Sequence, residues 1–176
     1  QHEHGMLSPV FVLDMSGFSL LTRKYGIVHY LSMVRRMQLT SEPIIESFGG
    51  SLIKYEADNC FAVFPQPLPA IRAAIALQYA FNASNVLTSE DFDIHITCAV
   101  DYGKILVVGH EECFGDAVNR ACKLGEDIGK ASEILVTKDA MDLVPAGTDI
   151  RCTPLEISVS GINILAYAIQ YREGGV

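Results

Sequence analysis

At 176 residues, with 49% apolar and 19% charged side chains, the sequence is long and apolar enough for one domain with its own core, which excludes a disordered chain. A net charge of −8 excludes a protein that binds nucleic acid through a broad basic surface, so nucleic acid is not expected as a partner. Five cysteines (Cys60, Cys98, Cys113, Cys122, Cys152), odd in number and without C-x-x-C spacing, exclude a disulfide framework and a zinc knuckle, and no apolar run reaches the roughly 18 residues that span a bilayer.

The chain opens on QHEHG, where His2 and His4 read as linker and not as a metal site, so residues 1–8 are taken as a linker. Pro9 to Leu13 is a short β-branched apolar run, a buried strand that ends at Asp14 with Gly17 just after. From Phe18 to Phe48 apolar residues recur at three and four (Leu20, Leu21, Ile27, Leu31, Val34, Met37, Ile44, Ile45, Phe48), which is helical spacing with breaks expected at Gly26 and Pro43. Gly49-Gly50 stops that helix. Ser51–Tyr55 and Cys60–Phe64 read as a hairpin around Glu56-Ala57-Asp58-Asn59, and Pro65 and Pro67 end it. A second helix is expected from Pro69 to Ala83, a strand pair at Ile94–Val100 and Ile105–Val108, and a third helix from Asp116 to Ile128, closed by Gly129. Ile134–Thr137, a short helix, and strands near Ile157–Val159 and Leu165–Tyr171 complete the chain, with 173–176 as a tail. No internal repeat or composition shift appears, so 9–172 is one domain. The order β-α-β-β-α-β predicts an α+β fold, a ferredoxin-like split βαβ core whose mostly antiparallel sheet carries helices on one face. That fold hosts many functions and decides none.

Four places carry chemistry. Asp14 ends a buried strand and Asp58 sits in the turn of the hairpin expected beside it; two carboxylates at adjacent strand ends can hold Mg²⁺ against a triphosphate, although either alone is ordinary turn chemistry. Asp14-Met15-Ser16-Gly17-Phe18-Ser19 leads from strand to helix through a glycine turn, which suits either a phosphate on free backbone N–H groups or plain steric clearance. Lys54 lies four residues before Asp58, and on a strand this even spacing puts both side chains on one face; it either snorkels to solvent or reaches a ligand that Asp58 serves. Asn119 and Lys123 are one turn apart on a helix, a pair that fits either a ribose and a phosphate or a solvated face.

VFVLDMSGFS, FGGSLIKYEADNCFAVF, FGDAVNRACKL and, more weakly, ISVSGINILAYAI together resemble the class III adenylyl and guanylyl cyclase catalytic domain, from about Pro9 to Tyr171. The resemblance implies two metal-binding aspartates, Asp14 and Asp58, with the Met15 carbonyl as a further ligand, for two Mg²⁺ or Mn²⁺ per site. It implies phosphate binding by the backbone of Gly17, Phe18 and Ser19, and base selection by Lys54 and Glu112. It implies a ribose-orienting Asn119, and Lys123 in the place of an arginine that acts on the transition state. The family's active site lies at a head-to-tail dimer interface, so a homodimer is implied, fed by a regulatory sensory domain in the full-length chain. The reaction implied is conversion of ATP to 3′,5′-cyclic AMP and pyrophosphate, in the cytoplasm, by a domain that itself makes no membrane contact even where the full-length protein is membrane-anchored.

Adenine offers an acceptor at N1 and a donor at N6. Lys54 can only donate and an ionised Glu112 can only accept, so the pair favours ATP, with GTP as the alternative because Glu112 can also accept from guanine N1–H and N2–H. Two departures point to a slow or activator-dependent enzyme. Lys123 lacks the planar fork of arginine, and Val159-Ser160-Gly161-Ile162 has Ile162 where the family has a lysine that reaches the terminal phosphates. A non-catalytic nucleotide-binding or dimerisation module of the same fold is the rival from another class. A palm-type polymerase is weaker, since Glu56 and Asp58 are not adjacent and no basic groove is apparent. His95 and His110 are expected to be structural or surface residues.

Overall fold

The computed structural model describes residues 5–109, 112–125, 129–159 and 161–172; the readings of His2, His4, His110, the helix end at 126–128, Ser160 and the 173–176 tail lie outside them. The apolar run at 9–13 is the centre of a longer strand, β1 (Met6–Met15). Val10 and Val12 join one apolar cluster, while Phe11, Leu13 and Met15 join another. The two-residue period thus buries both faces, which is why the run reads as continuous and not alternating.

The helical periodicity of 18–48 resolves into α1 (Phe18–Tyr25) and α2 (Ile27–Ser47), separated at Gly26, whose φ of 85° suits glycine. Pro43 makes no break. It sits inside α2, and the residue whose carbonyl it leaves without a donor, Leu39, is on the exposed side. Beyond α2, Gly50 donates to the Ile45 carbonyl at 3.0 Å, and a Cβ there would meet the Phe64 ring at 2.6 Å. The hairpin follows as β2 (Ser51–Glu56) and β3 (Asn59–Val63), then α3 (Pro67–Asn85).

The expected pair of strands at 94–100 and 105–108 is instead one strand, β4 (Ile96–Val108). Asp101 explains the difference. It is fully buried and accepts from Arg120 Nε at 2.7 Å, Thr137 Oγ1 at 2.5 Å and the Tyr102 N–H at 2.7 Å. A carboxylate satisfied in this way has no need of a turn at the surface, so Asp101-Tyr102-Gly103 stays extended and β4 pairs with β1 from Ile96 to Ile105. A short strand that the sequence did not suggest, β5 (Glu112–Phe114), pairs back onto the end of β4. The third helix, α4 (Asp116–Lys123), is shorter than expected, and Gly129 donates to the Leu124 carbonyl at 2.7 Å beyond it. Then come β6 (Ile134–Thr137), α5 (Lys138–Met141), β7 (Arg151–Val159) and β8 (Ile162–Gln170).

The strands order as β2-β3-β1-β4-β6-β8-β7, with only β4 and β6 parallel. The first four in that row are the split βαβ core, and the fold is α+β as the element order implies. Helices cover both faces, not one: α2 and α3 pack with Phe11, Leu13 and Met15, and α4 packs with Val10 and Val12. All five cysteines are free thiols, and burial pushes Cys60 up to about 12. Among the described residues no helix is long and apolar enough to cross a membrane.

The Asp101–Arg120 pair locks α4 onto the sheet. Arg120→Met leaves Asp101 buried and charged. Because the Arg120 side chain is 34% exposed, solvent compensates part of the loss, and we expect destabilisation of about 2–3 kcal/mol in urea titrations, below the range for a fully buried pair. Adding Asp101→Asn should recover part of it; a loss below about 0.5 kcal/mol would show that the pair does not hold α4.

Candidate functional site

β1 carries Asp14 to the end of the sheet, where it stands opposite Asn59 of β3 on one side and Thr97 of β4 on the other. Asp14 is half-buried and shares the strand parity of Val10 and Val12, on the face that α4 covers. The β2–β3 turn reaches the same place: the Met15 N–H donates to the Asp58 carbonyl at 3.1 Å. The two acids are therefore joined through the backbone of adjacent strand ends. Burial raises the Asp58 carboxyl above its ordinary value, the expected response of an acid half withdrawn from water. Met15 buries its side chain under α2 and α3, so only its main chain can serve a ligand.

The turn into α1 is built by Gly17, whose φ of 74° is left-handed and whose missing Cβ would meet nothing within 4 Å. No side chain caps α1, so the first-turn N–H groups at Phe18 and Ser19 have no capping side chain; the side chains of these two residues lie outside the description. The turn is stitched to β4 by the Ser16 N–H, which donates to the His95 carbonyl at 2.8 Å, and by Ser16 Oγ, 3.3 Å from Thr97 Oγ1. His95 itself is exposed.

On β2, Lys54 pairs with Phe61 of β3, and its Nζ lies 5.4 Å from the Phe61 ring centroid. The ammonium donates to Glu112 Oε2 at 2.8 Å and stands 3.3 Å from Glu56 Oε2. The hydrogen bond that Lys54 donates to Glu112 is the main reason the Lys54 pKa lies above its usual value. Lys54 and Glu112, 58 residues apart in sequence, are thus brought together because β5 folds back beside the β2–β3 hairpin. Glu56 is the residue that sequence reasoning missed. The even-spacing argument was applied to Asp58, but β2 ends at Glu56 and the chain turns at Ala57, so strand parity links Lys54 to Glu56.

α4 buries Ala117, Val118 and Ala121 and leaves Asn119 exposed and Lys123 half-exposed, one turn apart. Among the described residues neither side chain makes a hydrogen bond or ion pair, so within one chain they join neither the acid pair nor the Lys54 cluster through such contacts. Ile162, at the start of β8, is 61% exposed.

No group of three or more His, Cys, Asp or Glu among the described residues is placed to hold a metal. Asp14 and Asp58 supply two carboxylates, an all-oxygen donor set that fits Mg²⁺ or Mn²⁺ only when phosphate oxygens and water fill most of the shell.

No family model matches the chain, and no curated protein is similar to it in sequence. Solved structures match over nearly its whole length. An adenylate/guanylate cyclase/hydrolase from Silicibacter pomeroyi is 25% identical, with a TM-score of 0.77 over 94% of this chain and 97% of that one. The adenylyl cyclase CyaB from P. aeruginosa is 17% identical, with a TM-score of 0.78 over 97% of each chain. The catalytic core of a rhodopsin-guanylyl cyclase with converted specificity, in complex with ATPαS, is 18% identical, with a TM-score of 0.79 over 97% of this chain and 100% of that one.

The hairpin turn contains a strained position. Ala57 has φ 51°, a left-handed conformation that a Cβ disfavours. Ala57→Gly should raise stability by about 0.5–1 kcal/mol after the added unfolded-state entropy of glycine, measured by chemical denaturation. A loss of stability would mean that the turn does not carry this strain.

Proposed function

We propose that this chain, which has the class III adenylyl and guanylyl cyclase catalytic-domain fold, is a nucleotidyl cyclase that converts ATP to 3′,5′-cyclic AMP and pyrophosphate at the interface of a head-to-tail homodimer. The observation that carries the reading is the junction of β1 with the β2–β3 turn, where the Met15 N–H bonds to the Asp58 carbonyl one residue from Asp14. Two acids at adjacent strand ends can share a cation, and a triphosphate needs the same cation.

In this reading Asp14, Asp58 and the Met15 carbonyl hold two Mg²⁺ or Mn²⁺ ions, which when bound lower the pKa of the ribose 3′-hydroxyl and neutralise charge on the leaving pyrophosphate. The backbone N–H groups of Gly17, Phe18 and Ser19 receive phosphate oxygens at the start of α1. From the other subunit, Lys54 donates to adenine N1, Glu112 accepts from the N6 amine, Asn119 orients the ribose, and Lys123 places positive charge beside the α-phosphate. The 3′-oxygen then attacks the α-phosphorus in line as its proton passes to solvent, the α-phosphorus–oxygen bond to the β-phosphate breaks to release pyrophosphate, and the residues act by position and charge. The exposure of Asn119 and the lack of side-chain partners for Lys123 among the described residues fit groups that wait for a ligand across a dimer interface. A lysine in place of the fork-shaped arginine, and Ile162 in place of a second cation, make the enzyme slow or dependent on an activator. A sensory segment elsewhere in the full-length protein would supply that input. We read the domain as cytoplasmic, a reading that an ATP substrate and five free thiols support.

GTP is the second reading, favoured by one observation: Glu112 is a carboxylate with two acceptor oxygens, which also matches guanine N1–H and N2–H.

Incubation with ATP or GTP and Mn²⁺ or Mg²⁺, followed by assay of cyclic product, should yield cyclic AMP. Asp58→Ala should lower the rate at least about 100-fold. No product from either nucleotide would reduce the chain to a binding or dimerisation module. Lys54→Glu should shift the ATP:GTP ratio of kcat/KM toward GTP by about tenfold or more; an unchanged ratio overturns the assignment of Lys54 to the base.

A further inference from the structure

Lys54 is gripped from two sides. Its ammonium donates to Glu112 Oε2 at 2.8 Å and stands 3.3 Å from Glu56 Oε2, above the ring of Phe61. An ammonium has three N–H donors. One is engaged by Glu112 as a hydrogen bond, Glu56 is held as an ion pair, and the ammonium retains donor capacity for a ligand. Glu56 contributes little to the fold, since its side chain is 64% exposed and a solvated ion pair of this kind is weak. Its position two residues along β2 nonetheless fixes it on the same face as Lys54, so the three side chains form a short row with the cation in the middle.

We propose that Glu56 is a specificity-determining residue of the base site, the third member of an acceptor–donor–acceptor row, Glu112–Lys54–Glu56, that selects a purine whose N1 is an acceptor flanked by donors. The inference rests on the base-binding part of the reading above. Adenine satisfies two members of the row: N1 accepts from Lys54 and the N6 amine donates to Glu112. Glu56 then faces position 2, where adenine offers only C–H. A purine with amines at positions 2 and 6 satisfies all three. Guanine in the same pose sets its N1–H against the Lys54 N–H and its O6 against the Glu112 carboxylate, two repulsive contacts that the single contact of its 2-amine with Glu56 does not offset. The row therefore accounts both for selection against guanine and for spare capacity at position 2.

Calorimetry with the α,β-methylene triphosphates of adenosine, 2-aminoadenosine and guanosine, in the presence of Mg²⁺, tests this on the wild type, Glu56→Ala and Glu56→Gln. The cyclic-product assay with the natural triphosphates runs alongside. The wild type should bind the 2-aminoadenosine analogue about five- to tenfold more tightly than the adenosine analogue. Glu56→Ala should abolish that preference, and Glu56→Gln, which keeps an acceptor oxygen, should retain part of it. Loss of a negative charge near a polyphosphate raises affinity for all three analogues alike, so the ratio isolates the contact. No preference in the wild type, or a preference that survives in Glu56→Ala, overturns the proposal. Nucleotides bound with a Glu56-dependent preference but never cyclised would uphold the role of Glu56 and overturn the cyclase reading. Failure to bind any of the three would overturn both.

Discussion

The hydrogen bond from the Met15 N–H to the Asp58 carbonyl ties the last rung of β1 to the turn of the β2–β3 hairpin. Everything proposed for the site depends on that tie, because it fixes two acids from distant parts of the sequence at one end of the sheet. The ladder behind it is long: β1 pairs with β4 over ten successive positions, from Met6–Ile105 to Met15–Ile96, and with β3 from Val10 to Asp14. A one-residue slip in either ladder would turn Asp14 to the opposite face, under α2 and α3, where a carboxylate has no partner. Register is thus held by the two apolar clusters, and the position of the acid follows from it.

The molecule also has to manage its own charge. With a net charge of −8, it has no general attraction for a triphosphate. Two of its cations are instead committed locally. Arg120 is used on the buried Asp101 and so fixes α4, while Lys54 is used on Glu112 and Glu56. The first commitment is structural. It keeps the inner face of α4 on the sheet and leaves Asn119 and Lys123 on the outward side. The second holds the Lys54 ammonium between two carboxylates, where three side chains of alternating charge share one edge.

The sequence made legible those parts of the structure where local chemistry and tertiary context agree. The apolar run ending at Asp14, the helix break at Gly26, the stop at Gly49-Gly50 and the Asp58 turn all follow from residue types whose preference the fold does not oppose. Lys54 and Glu112 entered through family resemblance, and the structure brings them to hydrogen-bond distance. What was not legible depends on distant partners. Asp101-Tyr102-Gly103 has turn composition, yet Arg120 and Thr137 draw Asp101 into a strand. Pro43 has breaker chemistry, yet it is tolerated in a helix held by burial at Met37, Ser41 and Ile45. β5 is three residues long, too short for periodicity to register, and exists because β4 is there to pair with. Glu56 was hidden because it was assigned to the turn while parity was counted on to Asp58, whereas β2 runs one residue past Tyr55 and ends at Glu56.

The most direct measurement is a crystal structure with Mn²⁺ and ATPαS, using anomalous scattering to locate the metal. The account predicts manganese in contact with carboxylate oxygens of both Asp14 and Asp58 and with the nucleotide phosphates, while the base of that nucleotide meets Lys54 of the other subunit. Manganese bound away from this pair, or a nucleotide seated with neither acid within reach of its phosphates, would contradict it.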